Sequence, residues 1–140
     1  VFSACIRSPI PQSVPLLLET LLFESGQYFL LDAHLQRIHS AAIHFRYKIN
    51  MDSVRSQLEQ ASQAWSASKS PQRVRLCVSA SGEVQIHSTP LTSLPHPYVI
   101  QLCAMPVDSL DEYLRYKTTH RSCYDQARSL TSASAHDVIL

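Results

Sequence analysis

The 140-residue sequence predicts an α+β fold, an antiparallel sheet with helices packed on one side. Three observations carry that prediction. Apolar runs at 16–23 and 73–80 each precede a glycine turn and a returning segment, which is hairpin patterning. Between them, apolar residues over 32–65 recur at helical rather than strand spacing. Hydrophobic residues make up 45% of the chain, enough at this length to bury a core under the sheet.

The elements follow in order. Residues 1–15, with Pro9, Pro11 and Pro15, read as an N-terminal arm or linker. Residues 16–23 form a strand, Glu24-Ser25-Gly26-Gln27 a turn, and 28–31 the returning strand. Asp32 is the expected N-cap of a helix reaching Phe45, with Leu35, Ile38, Ala42 and Phe45 on its core face. His34, Arg37 and His44 fall on other faces. Asp52 is the expected cap of a second helix through Trp65, striped by Val54, Leu58 and Ala61. Over 73–80, Val74, Leu76 and Val78 alternate with Arg73, Arg75 and Cys77, a half-buried strand. Ser81-Gly82 turns it into a partner at 83–88. Pro90, Pro95 and Pro97 then interrupt regular structure before a strand at 98–104. Residues 111–116 are ambiguous, a helix runs from about Arg121 towards Ser132, and 137–140 begin a last strand.

Composition removes several function classes. With 12 Lys+Arg against 11 Asp+Glu, the formal charge of +1 gives no electrostatic case for nucleic acid or an anionic membrane as partner. The two glycines, Gly26 and Gly82, are too far apart for a P-loop or a GxGxxG turn. No apolar run approaches the roughly 20 residues that cross a bilayer, and Val1 to Ile10 lack a secretory pattern. Cys5, Cys77, Cys103 and Cys123 form no CxxC pair, so they read as reduced, half-buried thiols of a cytoplasmic protein. His34, His39 and His44 are five apart on one helix, which rotates them off a shared face, so no metal site is expected. No GxSxG frames a serine nucleophile.

Three features stand out. Arg37, in the second turn of a helix after a hairpin, can offer a bidentate fork to an anion, or can simply be solvated. Arg73 and Arg75 lie on the outward phase of a strand, either a polar sheet face or a ligand surface. Lys117 stands among Arg115, Tyr116, His120 and Arg121; adjacent cations favour the neutral, nucleophilic form of an amine, although a basic loop is also an ordinary solvated surface.

Taken in order, these features resemble the class IV (fold-type IV) pyridoxal-phosphate-dependent aminotransferase and lyase family. Leu17 to Phe45 is similar to the family's hairpin and its HLxRLxxSA helix, here His34-Leu35-Gln36-Arg37-Ile38-His39-Ser40-Ala41. The likeness continues through Arg73 to Val84 and through Tyr116-Lys117-Thr118-Thr119-His120-Arg121-Ser122-Cys123-Tyr124-Asp125-Gln126-Ala127. The LLET opening and the KTT-x-R-x-x-YD-x-A block resemble most the aminodeoxychorismate lyase branch, of the synthase-fused type.

That resemblance implies a pyridoxal 5'-phosphate cofactor, with Lys117 as the catalytic amine that condenses with it and Arg37 binding its phosphate. It implies a small α+β domain at 16–108, then a connection and the beginning of a larger domain at 109–140. Arg75 matches a recurring arginine whose role is left open. The family's asparagine three residues after the lysine is His120 here. The chain ends at Leu140, before the family's glutamate for the pyridine nitrogen, so a missing C-terminal segment and little activity of this chain alone are expected. The function implied is 4-amino-4-deoxychorismate lyase, forming 4-aminobenzoate and pyruvate in the folate pathway, in a cytoplasmic homodimer acting on a small-molecule substrate. The alternatives are a class IV amino-acid transaminase and a non-catalytic docking or dimerisation module.

Overall fold

The computed structural model describes residues 6, 9, 13–68 and 70–140. The expected arm therefore lies mostly outside the described residues, and Cys5 lies wholly outside them. The chain divides into two compact units, one of residues 13–92 with 116–119, the other of residues 1–12, 93–115 and 120–140. Residues 93–108, grouped with the first domain on sequence, fall in the second unit.

The first unit is a four-stranded antiparallel sheet under two helices. β1 (Leu17–Glu24) turns into the two-residue β2 (Gln27–Tyr28), with Glu24 opposite Gln27. Ser25 and Gly26 both have positive φ, as a type I′ hairpin requires. The returning strand is shorter than the expected 28–31 because Leu30, at φ 52°, leaves the sheet to open α1 (Leu31–Phe45). Asp32 is thus not the N-cap. It sits in the first turn and pairs with Arg55. Asp52 does not cap α2 (Met51–Ser62) either: the Asn50 side-chain oxygen accepts from the Ser53 N–H at 3.0 Å. The α2 helix stops at Ser62, short of Trp65.

β3 (Gln72–Val78) and β4 (Val84–Pro90) complete the sheet in the order β2-β1-β3-β4, with Leu17 opposite Val78 and Leu21 opposite Val74. Pro90 is tolerated because β4 is an edge strand. One face buries Leu17, Leu21, Phe23, Val74, Leu76 and Val78 against Leu35, Ile38, Ala42, Val54 and Leu58. Each such side chain contributes about 1.5–3 kcal/mol as an upper bound. Both helices cover that face, as patterning predicts.

The second unit holds β5 (Ile100–Leu102), the short α3 (Glu112–Arg115), α4 (Ser122–Ser129) and β6 (Asp137–Ile139). β5 and β6 pair in parallel, which an antiparallel-only reading of the sequence does not anticipate; the helical crossover between them permits it. Ile6 is fully buried and bridged to Val107, packing with Cys123 and Ala127. Cys77 and Cys123 are buried and Cys103 partly so. Among the described residues no helix is long and apolar enough to cross a membrane.

Candidate active site

Lys117 is carried by residues 116–119, which return to the first unit and lie along β1. β2 pairs only with Phe23 and Glu24, so the other end of that β1 edge is open to a second partner. Residues 117–119 take it. The Leu18 N–H donates to the Lys117 carbonyl at 3.0 Å, and the Thr119 N–H donates to the Leu16 carbonyl at 2.9 Å. The Leu16 N–H in turn donates to Thr119 Oγ1 at 2.9 Å. Leu17 is flanked by Val78 on one side and Thr118 on the other. Just before the lysine, the Tyr116 ring stacks on His44 with centroids 4.3 Å apart and meets Phe45 edge-on at 5.5 Å. The backbone at Lys117 is therefore clamped from both sides.

Strand alternation decides where the side chains go. Directly opposed residues share a face, and successive residues alternate. Thr118, opposite Leu17, is 3% exposed on the helix-covered side. Lys117, opposite Leu18, is exposed and takes the other face, and among the described residues its amine has no hydrogen-bond or ion-pair partner. That face also carries the rung Thr20, Arg75 and His87 and the rung Leu22, Arg73 and Thr89. The exposed cations Arg73, Arg75 and Lys117 thus share one sheet face, against Glu24 at its far end. An anionic small molecule is the ligand class such a face favours.

Arg37 belongs to the opposite, helix-covered side. Its Nε and Nη2 donate to the two carboxylate oxygens of Glu19 at 2.8 and 2.5 Å. His34 Nδ1 lies 2.8 Å from Glu19 Oε2 and 3.1 Å from Arg37 Nη2. One ring nitrogen cannot both donate and accept, so the shorter contact governs, and Nδ1–H donates to the carboxylate. Glu19 is 1% exposed, at a core-facing position of β1 between Leu17 and Leu21. Burial pushes its carboxyl up, but hydrogen bonds from Arg37 and His34, with their charges, outweigh burial and hold it below the ordinary 4.5. Glu19 holds the guanidinium in its charged form.

Lys117 and Arg37 are thus fixed to consecutive residues of one strand, Leu18 by main chain and Glu19 by side chain, on opposite sheet faces. Two clefts of about 320 and 240 Å³ open at the hairpin end, lined by residues such as Leu22, Tyr28 and Leu30 or Phe23, Ser68 and Pro71; neither includes Lys117 or Arg37. Sequence reasoning missed Glu19 and the contact of the half-buried His34 with it. The available signal was phase: in LLETLLF, Glu19 falls on the alternation that points at the core.

The amino-transferase class IV family model matches residues 16–140. No functionally curated protein matches the chain. Among solved structures, a "putative amino-acid aminotransferase" from Mesorhizobium loti superposes with a TM-score of 0.76 at 26% identity, over 90% of this chain and 61% of that one. The 4-amino-4-deoxychorismate lyase from Pseudomonas aeruginosa gives 0.68 at 16% identity, over 89% and 52%. The PLP-bound form of a hypothetical aminotransferase from Mycobacterium tuberculosis gives 0.67 at 23%, over 94% and 56%. The chain therefore spans about half to three-fifths of the length of these proteins.

Proposed function

The chain belongs to the amino-transferase class IV family, and from that membership we propose that it is part of a pyridoxal-phosphate-dependent lyase acting on 4-amino-4-deoxychorismate. The observation that carries the reading is Lys117, an amine with no partner among the described residues, on a clamped backbone at the edge of a cationic sheet face. The donor set suits a phosphorylated aldehyde. Lys117 offers the amine, and the two Arg37 bonds to Glu19 leave three of its five N–H donors for a phosphate. Because 117–119 lie at the open edge of β1, the flexible Lys117 side chain would have to turn round that edge for one cofactor to meet both groups, Arg37 holding its phosphate and Lys117 its aldehyde end; Arg73 and Arg75 suit the carboxylates of the substrate. Cytoplasmic location and a homodimer belong to the same proposal.

When bound, the cofactor supplies an electron sink for the carbon that bears the substrate's amino group. Lys117 would be the general base that removes the proton from that ring carbon and returns it to the leaving group. The ring then expels its enolpyruvyl group as pyruvate, and aromatisation leaves 4-aminobenzoate. The choice of lyase rests on the LLET and KTT-x-R-x-x-YD-x-A motifs. A second reading, an amino-acid transaminase, is favoured by the likeness to the Mesorhizobium protein; Lys117 would there move a proton on an amino-acid substrate.

Incubation with pyridoxal 5'-phosphate, borohydride reduction and peptide mass spectrometry should place the adduct on Lys117. K117A should abolish the adduct and lower turnover by about 10²–10⁴-fold. An adduct elsewhere, or none, would overturn the assignment. Release of 4-aminobenzoate without any added 2-oxo acid supports the lyase, whereas a strict 2-oxo acid requirement selects the transaminase.

A further inference from the structure

We infer that Glu19 is a positioning residue: from inside the sheet it holds the Arg37 fork so that its free edge is a fixed anchor for a phosphate monoester. This rests on the assignment of Arg37 to the cofactor phosphate.

Stability alone does not explain the pair. Glu19 occupies a strand position whose same-face neighbours Leu17, Leu21 and Leu76 are 0–1% exposed. A carboxylate there carries a desolvation penalty, and a hydrophobic side chain would serve the core as well or better. Arg37 has no need of the partner either, since its side chain is 60% exposed and water would solvate it. What the pair does provide is geometry. Two N–H···O contacts, through Nε and Nη2, fix the guanidinium plane, whereas a single contact would leave it free to rotate.

His34 completes the lock. It is 16% exposed and donates to the oxygen that Arg37 Nη2 also engages, so the carboxylate is held from two positions one helical turn apart. A fork immobilised before the ligand arrives loses less side-chain entropy on binding. Leu18 holds the Lys117 backbone and Glu19 the Arg37 side chain, so the two residues are tied to consecutive positions of β1.

Glu19→Gln tests this on the purified protein, with pyridoxal 5'-phosphate and pyridoxal as paired probes. Binding is followed by absorbance and by mass of the borohydride-trapped adduct, without reference to turnover. E19Q should weaken pyridoxal 5'-phosphate about tenfold, one hydrogen bond's worth of differential affinity, and leave pyridoxal unchanged. A merely structural role would weaken both probes alike, which overturns the proposal. Arg37→Ala separates the two readings. If R37A keeps the preference for the phosphorylated probe, the Arg37 assignment fails and the proposal with it. If R37A loses that preference while E19Q keeps it, the positioning role alone fails. Should E19Q not melt cooperatively, the wild-type Arg37 Nε–H, observed by ¹⁵N NMR, decides the matter. A signal unmoved at saturating pyridoxal 5'-phosphate supports the held fork, and one that moves to the shift of a free guanidinium overturns it.

Discussion

Replacing Arg37 by methionine should destabilise the protein more than replacing Glu19 by glutamine, although the arginine is the exposed partner. The Glu19 side chain is 1% exposed and that of Arg37 60%. Removing the guanidinium leaves a buried carboxylate with His34 as its remaining partner, and breaking a buried pair in that direction costs about 3–5 kcal/mol. Removing the carboxylate's charge leaves the guanidinium in water. The loss is then of charge-assisted hydrogen bonds, offset by relief of desolvation, on the order of 1–2 kcal/mol. At about 3 °C per kcal/mol for a chain of this size, the difference of about 1–4 kcal/mol should separate thermal melts of the two variants at pH 7 by roughly 3–12 °C. The pH dependence provides an independent check. The wild-type carboxyl lies below its ordinary 4.5, so its contribution is present above about pH 4.5 and fades as pH falls through the lower folded value. In R37M the penalty exists only while the buried carboxyl is ionised. The gap between R37M and wild type should therefore narrow as pH falls through that region in urea titrations. Equal melts for R37M and E19Q at pH 7, or a gap that widens on acidification, would refute the reasoning.

Two backbone predictions follow from the turns and caps. Asn50→Ala removes the side-chain acceptor for the Ser53 N–H and should cost about 1 kcal/mol, whereas Asp52→Ala, which leaves the cap intact, should cost a few tenths; chemical denaturation distinguishes them. Gly82→Ala should destabilise more than Gly26→Ala. Both glycines have positive φ, +90° and +81°, so both variants carry the left-handed penalty of roughly 1–2 kcal/mol. Only at position 82 would the new Cβ lie 2.9 Å from a backbone oxygen, that of Lys48, with nothing within 4 Å at position 26. Equal midpoints in urea would show that the Lys48 segment yields freely.

Features written in local pattern were legible. The phase of Val74, Leu76 and Val78, the Ser25-Gly26 turn and the Leu35, Ile38, Ala42 stripe each depend on neighbours within a few residues. The helix caps were misread because Asp32 and Asp52 have good capping chemistry but the wrong backbone position. Leu30 enters the left-handed region unaided, and Asn50 stands two residues nearer the turn than Asp52. The parallel pairing of β5 and β6 was not legible, since three-residue strands carry too little alternation to reveal a partner some 37 residues away.

The sequence by itself determined the α+β class and the helix-covered face of the sheet, because side-chain periodicity and turn chemistry act over one or two turns of chain. Only the tertiary structure decided that Lys117 lies against Leu18, nearly a hundred residues away, and that Arg37 is held by Glu19. Both contacts depend on how β1 is flanked. A strand edge accepts whichever backbone arrives in register, and a buried carboxylate takes whichever cation can reach it. Neither choice is encoded in the neighbours of the residues concerned.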